Sequence, residues 1–141
     1  MLNLVVERLK VKAAILPGVE MAEDLDAIGN GTSRPSGTTF VILFRERAKP
    51  NTLMSGGFRQ RVQVQFLTAT ILRHHADALG AMRAKDFDAF KGAIEQAVAG
   101  WEPTDDSDPC ELVGGDSTPL GNGKSVYVQT WETTRLLTVE E

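Results

Sequence analysis

The sequence predicts an α+β fold: a single small domain with a largely antiparallel β-sheet, an N-terminal helix and one main helix packed on it. Apolar residues at three- and four-residue steps from Leu2 to Leu16 predict the N-terminal amphipathic helix. Alternating apolar and polar residues after Arg59 predict a half-buried strand. A second helical pattern over residues 76–99 predicts the main helix. With 141 residues, the chain fits one domain spanning residues 1–141.

The N-terminal helix is expected to begin at an N-cap, Asn3, and to stop at Pro17-Gly18. Its single apolar stripe indicates that it covers a sheet. Residues 20–28 are expected to form two further helical turns with an apolar side turned inward. That side consists of Met21, Leu25 and Ile28.

Two strands are expected to form a β-hairpin in the middle of the chain. Residues 40–44 read FVILF, which predicts a strand buried on both faces, and residues 59–73 give the longest strand pattern. The apolar phase runs from Val62 to Phe66 and reverses at Leu67. Such a reversal indicates either a bulge or passage from one-sided to two-sided burial. The connection between the strands is longer than a tight turn.

The C-terminal part predicts the end of the main helix and a second hairpin. Gly100 is a typical residue just beyond a helix C-cap, and Trp101 is expected to pack against the helix end or the sheet. Strands are expected over residues 110–118 and 124–139. The Asn-Gly dipeptide between them is preferred in two-residue hairpin turns.

Composition excludes several classes of protein. No apolar run approaches the roughly 20 residues that span a bilayer, and the charges of Glu7 and Arg8 argue against a signal peptide. The single cysteine, Cys110, cannot form an intrachain disulfide, which fits a reducing compartment. An isoelectric point near 5.2 argues against general nucleic-acid binding.

No motif predicts catalysis, a cofactor or a metal site. Adjacent His74 and His75 would point to opposite faces of a strand, so they do not chelate one ion easily. The aspartates near Pro109 lack the glycine and distal glutamate of a calcium loop. The glycine pairs match no phosphate-binding fingerprint, and Cys110 has no basic neighbour to form a thiolate. We therefore expect a protein that is not an enzyme.

A basic segment, residues 45–61, is the most distinctive feature of the chain. It has five basic residues against one acid, Glu46, although the whole chain carries a net charge of −4. This asymmetry predicts a contact surface for an acidic partner. The candidate interface residues are Arg45, Arg47, Lys49, Asn51, Leu53, Met54, Phe58, Arg59 and Arg61. The candidate complementary acidic patch is Glu102, Asp105, Asp106 and Asp108.

A series of short motifs resembles one family along nearly the whole chain. Residues 17–20 read Pro-Gly-Val-Glu, residues 46–53 follow the form E-R-A-x-P-N-x-L, and a glycine, Gln60 and Val62 open the next strand. Gly-Trp-x-Pro follows the main helix, then Glu-Leu-x-Gly-Gly, then a threonine-rich strand containing a tyrosine. In this order the motifs resemble the tail terminator, or tail completion, proteins of long-tailed bacteriophages and prophages.

The resemblance implies a structural role in the neck region of the virion tail, after assembly in the cytoplasm of the bacterial host. Members of the family form a homo-oligomeric ring, commonly a hexamer, at the end of a completed tail tube. The ring stops tube polymerisation and offers a surface for head attachment. Its expected partners are other copies of the chain, the tail tube protein and a head completion protein, with no membrane, no cofactor and no specific nucleic acid.

The charge pattern suggests how such a ring would assemble. A cyclic ring uses two different patches on each subunit, and the basic segment would supply one of them. The acidic patch of a neighbour, or the tube end, would supply the other. Two alternatives stay open at this point: another head–tail connector or neck protein, and a module that contacts DNA in the passage for the genome.

Overall fold

The structure is a computed structural model that describes residues 1–29, 34–51, 57–73, 81–121 and 123–139. The side chains of residues 27, 29, 81–85 and 121 are not described. These residues form three helices and five strands. In chain order they are α1 (Leu2–Lys12), β1 (Val19–Met21), α2 (Leu25–Gly29), β2 (Thr39–Ala48), β3 (Phe58–Arg73), α3 (Ala81–Val98), β4 (Glu111–Gly121) and β5 (Lys124–Val139). The predicted α+β class is confirmed.

The five strands form one sheet in the order β1-β2-β3-β5-β4. β1 runs parallel to β2, and every other neighbouring pair is antiparallel. Both expected hairpins are present, β2 with β3 and β4 with β5, and β5 has the bounds that the sequence predicted. The sheet is therefore largely antiparallel, with its two longest strands, β3 and β5, side by side near its centre.

The main core lies on the sheet face that α1 and α3 cover, which we call the helix face. Leu9 from α1 and Ile94 from α3 pack there with Phe66 and Trp131 from the central strands. Trp131 is fully buried, and its Nε1 donates a 3.1 Å hydrogen bond to Thr68 Oγ1. Burial of such large apolar side chains is the main favourable term in the folding of a chain this size.

A smaller core lies on the opposite face, which we call the outer face. Ile28 of α2 packs there against Ile42, Leu67 and Ile71. The phase reversal at Leu67 is therefore passage into two-sided burial, since every residue from Phe66 to Ile71 is buried. β3 pairs with β5 without a register shift, and the bulge lies in the partner strand β2.

The N-terminal segment differs from the expectation. α1 ends at Lys12, well before Pro17-Gly18, and its N-cap is Met1, which makes no side-chain capping bond. Instead of two helical turns, residues 20–28 contain most of β1 and most of α2. Ile28 is buried as expected, but the predictions for Met21 and Leu25 were wrong, because these side chains are 58% and 39% exposed. Pairing of β1 with β2 overrides the local helical spacing.

The end of α3 agrees with the sequence. Gly100 has φ +77°, and its N–H donates to the Cys110 carbonyl oxygen. Trp101 packs against the main core, with the Arg8 guanidinium 5.4 Å from its ring centroid. The expected start of α3 at residue 76, the His74-His75 pair and Asn122 lie outside the described residues.

Candidate interaction surface

The basic segment is mostly strand rather than loop. Arg45 and Arg47 lie in β2, and Arg59 and Arg61 lie in β3. Together with the end of β5 these strands form a three-stranded arm, defined as residues 45–48, 58–65 and 132–139. β2 continues four residues beyond its predicted end at Phe44, so Arg45 and Arg47 lie in a strand rather than in the connection, whereas Arg59 and Arg61 lie in a strand as predicted. Lys49 and Asn51 lie in the connection, and Leu53 and Met54 lie outside the described residues.

A one-residue bulge decides where the arginines point. Leu43 pairs with Phe66, and the next pair joins Arg45 to Gln65, so Phe44 is the extra residue. Since side chains alternate along a strand, a regular β2 would place Arg45 and Arg47 on the helix face. The bulge moves both to the outer face, where Arg59 and Arg61 also lie. We call this set of four side chains the arginine face.

Hydrogen bonds fix part of the arginine face. Arg45 Nε donates to Gln65 Oε1 at 2.8 Å, and Gln65 Nε2 donates to Glu132 Oε1 at 3.1 Å. Arg45, Arg47, Gln65 and Glu132 also line a surface depression of about 280 Å³. The polar chain across three strands holds Arg45 in place, and Arg47 beside it is exposed.

The opposite side of the arm has a different chemistry. Arg135 Nε and Nη2 donate to the two carboxylate oxygens of Glu46 at 2.9 and 3.1 Å. These hydrogen bonds hold the pKa of Glu46 below its usual value of 4.5, and they raise the pKa of Arg135. Three exposed apolar residues at the free end form what we call the apolar tip. They are Phe58, Leu137 and Val139, which are 38%, 36% and 57% exposed.

The candidate acidic patch lies beside the arginines of its own subunit. Arg61 Nη1 donates to Thr134 Oγ1 at 3.1 Å and lies 3.5 Å from Asp108 Oδ1. Both partners of this ion pair are more than 40% exposed, so solvent screens it strongly. An open groove of about 440 Å³ lies between Arg59 and Arg61 on one side and the acidic patch on the other. Its acidic lining residues are Glu102, Asp105, Asp106 and Asp108.

A second acidic surface was not predicted as a site. It is an open pocket of about 380 Å³ beside the bulge of β2. We call it the acid-rimmed pocket, and its principal residues are Glu23, Asp24, Leu25, Asp26, Leu43 and Phe44. Leu43 and Phe44 are 46% and 51% exposed. The run of three acids around Leu25 was the available signal, but Leu25 was expected to be buried.

Catalytic chemistry has little support in the described part of the chain. Cys110 is 1% exposed, and burial raises the pKa of its thiol to about 11 against a weaker opposing effect of a hydrogen bond with Thr133. The described residues contain no group of three or more histidine, cysteine, aspartate or glutamate side chains that would hold a metal ion. Within the same residues, no helix is long and apolar enough to cross a membrane.

The fold and its arm together define a class: a small α+β module with exposed charged and apolar surfaces suited to protein contacts. Comparison with known proteins identifies the family. The family model for the phage tail terminator protein matches residues 1–139, and the chain belongs to that family. No curated protein matches the chain.

Solved structures with a similar fold include a chain from the virion of a native gene transfer agent particle. That chain matches with a TM-score of 0.54 and 15% sequence identity. The similarity covers 92% of this chain and 90% of that chain. At this level of identity the likeness shows the shared fold.

Proposed function

We propose that this protein caps the head-proximal end of a phage tail tube as a ring, stops tube polymerisation and provides the surface to which the head attaches. The family match over residues 1–139 is the observation that carries the proposal. The protein acts as a structural component without catalysis, as one domain. Its partners are further copies of itself, which form a ring of six subunits, together with the tail tube protein and a head completion protein. It assembles in the host cytoplasm and resides in the neck of the virion.

The arm supplies contact surfaces suited to this role. The arginine face presents positive charge on one side, and the apolar tip offers area that a partner would bury. Asp108 already pairs with Arg61 in its own subunit, so the partner of the arginine face is better sought on the tube end or on a different surface of the neighbour. Lys49 and Asn51 extend the same surface at the end of β2.

A lysate of phage that lacks this protein tests the proposed role directly. We expect tails of abnormal length that do not join heads, and supplying the intact chain should restore normal particles. Electron micrographs of negatively stained lysates measure tail length and the fraction of tails joined to heads. Tails of normal length joined to heads in the absence of the protein would refute the proposal.

A charge-reversed variant tests the role of the arginine face. Arg59→Glu with Arg61→Glu should reduce complementation of the deficient lysate, because an attractive surface becomes repulsive. Lys10→Glu with Lys12→Glu on α1 is a matched control with the same change in net charge on exposed positions. Equal complementation by both variants would exclude the arginine face as a contact surface.

Contact with DNA is a second candidate, favoured by the clustering of four arginines on one face. Phosphate contacts would make binding of DNA to the isolated protein strongly dependent on salt. The neighbouring carboxylates of Glu132 and Asp108 oppose this role, because they would repel phosphates. Salt-dependent DNA binding that the Arg59→Glu, Arg61→Glu variant loses would favour it.

A further inference from the structure

We propose that the acid-rimmed pocket of one subunit receives the apolar tip of a second copy of this chain, so that successive copies join head to tail. The inference rests on the ring-forming role above and names the two surfaces that would make the ring. Neither surface belongs to the acidic patch that the sequence predicted as the partner of the basic segment. Each has features that point to the other.

The pocket combines apolar walls with a negative rim. Leu25, Leu43 and Phe44 are each at least 39% exposed, so they present apolar area to solvent at one place on the sheet edge. None of the residues that line the pocket is basic. Exposed apolar area with a charged border is typical of a protein-binding site. The border here selects a partner that is positively charged.

The position of the pocket on the sheet also favours a protein partner. The pairing of β1 with β2 ends at Val41, and the last backbone bond on that side joins Ala22 N–H to the Val41 carbonyl oxygen. From Ile42 onward β2 therefore has no β1 residue beside it. A strand edge without a neighbouring strand can bond to another chain, and the bulge at Phe44 interrupts the regular pairing of β2 there.

Basic residues lie at the same end of the arm as the apolar tip. Phe58 pairs with Val139, and Leu137 lies two residues back on the same side of the arm. Arg59 follows Phe58 in the chain, so its side chain points to the opposite side of the arm at the same free end. The Lys49 N–H donates to the Arg61 carbonyl oxygen, which places a second basic residue near that end. Lys49 and Arg59 are both exposed. The apolar tip and the basic residues at the same end of the arm complement the apolar walls and the acidic rim of the pocket.

The two surfaces of one subunit cannot meet each other. The bulge at Phe44 lies beside Gln65 of β3, and Phe58 lies seven residues before Gln65 at the start of that strand. At about 3.3 Å per residue, the separation is roughly 23 Å along a continuous strand. Contact therefore requires a second copy. Because the two patches differ, the contact is heterologous, which is the type that generates rings.

Cysteine cross-linking distinguishes this contact from others. Phe58→Cys places a thiol on the tip and Phe44→Cys places one in the pocket, while the native Cys110 is only 1% exposed. Each variant alone should stay monomeric on a non-reducing gel, and a mixture should give disulfide-linked dimers. A chain that carries both cysteines should give a ladder of oligomers. A disulfide forms only where Cα atoms approach within about 7 Å, so the test reports direct contact.

Leu25→Cys on another wall of the pocket gives a second reporter with the same partner, so that one unfavourable geometry does not decide the result. Mixtures that form no cross-link from either pocket position would overturn the inference. Cross-linking of Phe58→Cys with itself would also overturn it, because that result means contact between tips. Glu111→Cys, exposed at the far edge of the sheet, is the matched negative control.

Charge exchange provides an independent measurement. Lys49→Glu with Arg59→Glu should weaken self-association by about tenfold or more, and so should Glu23→Lys with Asp26→Lys. A mixture of the two variants should associate better than either variant alone, since each can offer one complementary pair. Sedimentation velocity measures the association. Equal association of all variants and the unmodified chain would contradict the contact.

The outcomes separate this inference from the proposed function. If the unmodified chain caps tails but no variant changes its assembly, the contact proposed here is wrong and the capping role stands. If the deficient lysate already contains normal tails joined to heads, the capping role fails regardless of any cross-link. Restoration of capping by mixed charge variants, but by neither alone, would support both.

Discussion

The same strands behave differently in the two halves of the sheet. Near α1 and α3, β3 is buried without interruption from Phe66 to Ile71, and Trp131 of β5 is fully buried beside it. In the arm, buried Val62 and Val64 of β3 alternate with partly or largely exposed residues, and both strands are exposed at the free end. Backbone pairing is continuous across the boundary. The difference therefore lies in side-chain burial, and we expect stability to depend on the first half and recognition on the second.

The largest difference between the halves should appear on truncation of a large apolar side chain. Trp131→Ala should lower the free energy of unfolding by about 3–5 kcal/mol, because it leaves a cavity in the main core and removes the bond to Thr68. Leu137→Ala in the arm should change it by about 1 kcal/mol or less, since that residue is 36% exposed. Urea denaturation measures both. Equal losses would mean that the arm contributes to the core.

Two glycines with nearly the same backbone conformation provide a matched pair. Gly37 has φ +99° and Gly57 has φ +100°. A Cβ at Gly37 would lie 2.6 Å from the Phe90 ring, whereas at Gly57 it would meet no atom of the described residues within 4 Å. Gly37→Ala should cost about 2–4 kcal/mol and Gly57→Ala about 1–2 kcal/mol, the left-handed conformation being common to both. The difference in stability between the two variants, measured by thermal unfolding, gives the cost of the steric overlap with Phe90.

Loss of an exposed ion pair should change the free energy of unfolding by a similar, small amount in the two halves of the sheet. Hydrogen bonds to Arg135 lower the pKa of Glu46 in the arm, and hydrogen bonds to Arg34 lower the pKa of Glu20 in β1. Each contribution is present above pH 4.5 and is lost as the pH falls through the lowered folded-state pKa. Glu46→Gln and Glu20→Gln should each cost at most about 1 kcal/mol at pH 7. Both variants should lose less stability than the unmodified chain between pH 5 and pH 3, in unfolding measurements at about 0.1 M salt.

The smallest effect on stability should come from the free end of the arm. Val139→Ser changes a side chain that is 57% exposed, so the free energy of unfolding should stay within about 0.5 kcal/mol. Self-association should nevertheless weaken, because the substitution reduces the apolar tip. Urea denaturation and sedimentation velocity on the same preparation compare the two quantities. Lower stability with unchanged association would reverse the roles assigned to the two halves.

Local sequence patterns predicted the elements whose signals are local. The alternation after Arg59 and the apolar face of α3 gave the right element types, and β5 had the predicted bounds. β1 is three residues long, which is too short to produce a period, and it exists because Val19 pairs with Thr39 across the fold. The end of α1 at Lys12 also lacked a local signal, since the apolar spacing continues to Leu16.

The residues of the candidate site can be read from the sequence, but their arrangement cannot. The sequence shows the basic residues, but the uniform apolar run before Arg45 conceals the bulge at Phe44 that determines which way Arg45 and Arg47 point. The groove that brings Arg61 close to Asp108 joins residues 47 positions apart. The acid-rimmed pocket likewise joins α2 and β2. Neither proximity follows from spacing along the chain.

The bulge at Phe44 has a consequence for how this arm can vary among relatives. Because side chains alternate, adding or deleting one residue between Leu43 and Ala48 would exchange the two sides of the ribbon, while a change of two residues would preserve them. We therefore expect related chains to differ in arm length by even numbers, or to gain and lose the bulge together with an odd change. An aligned set of family sequences would reveal that parity.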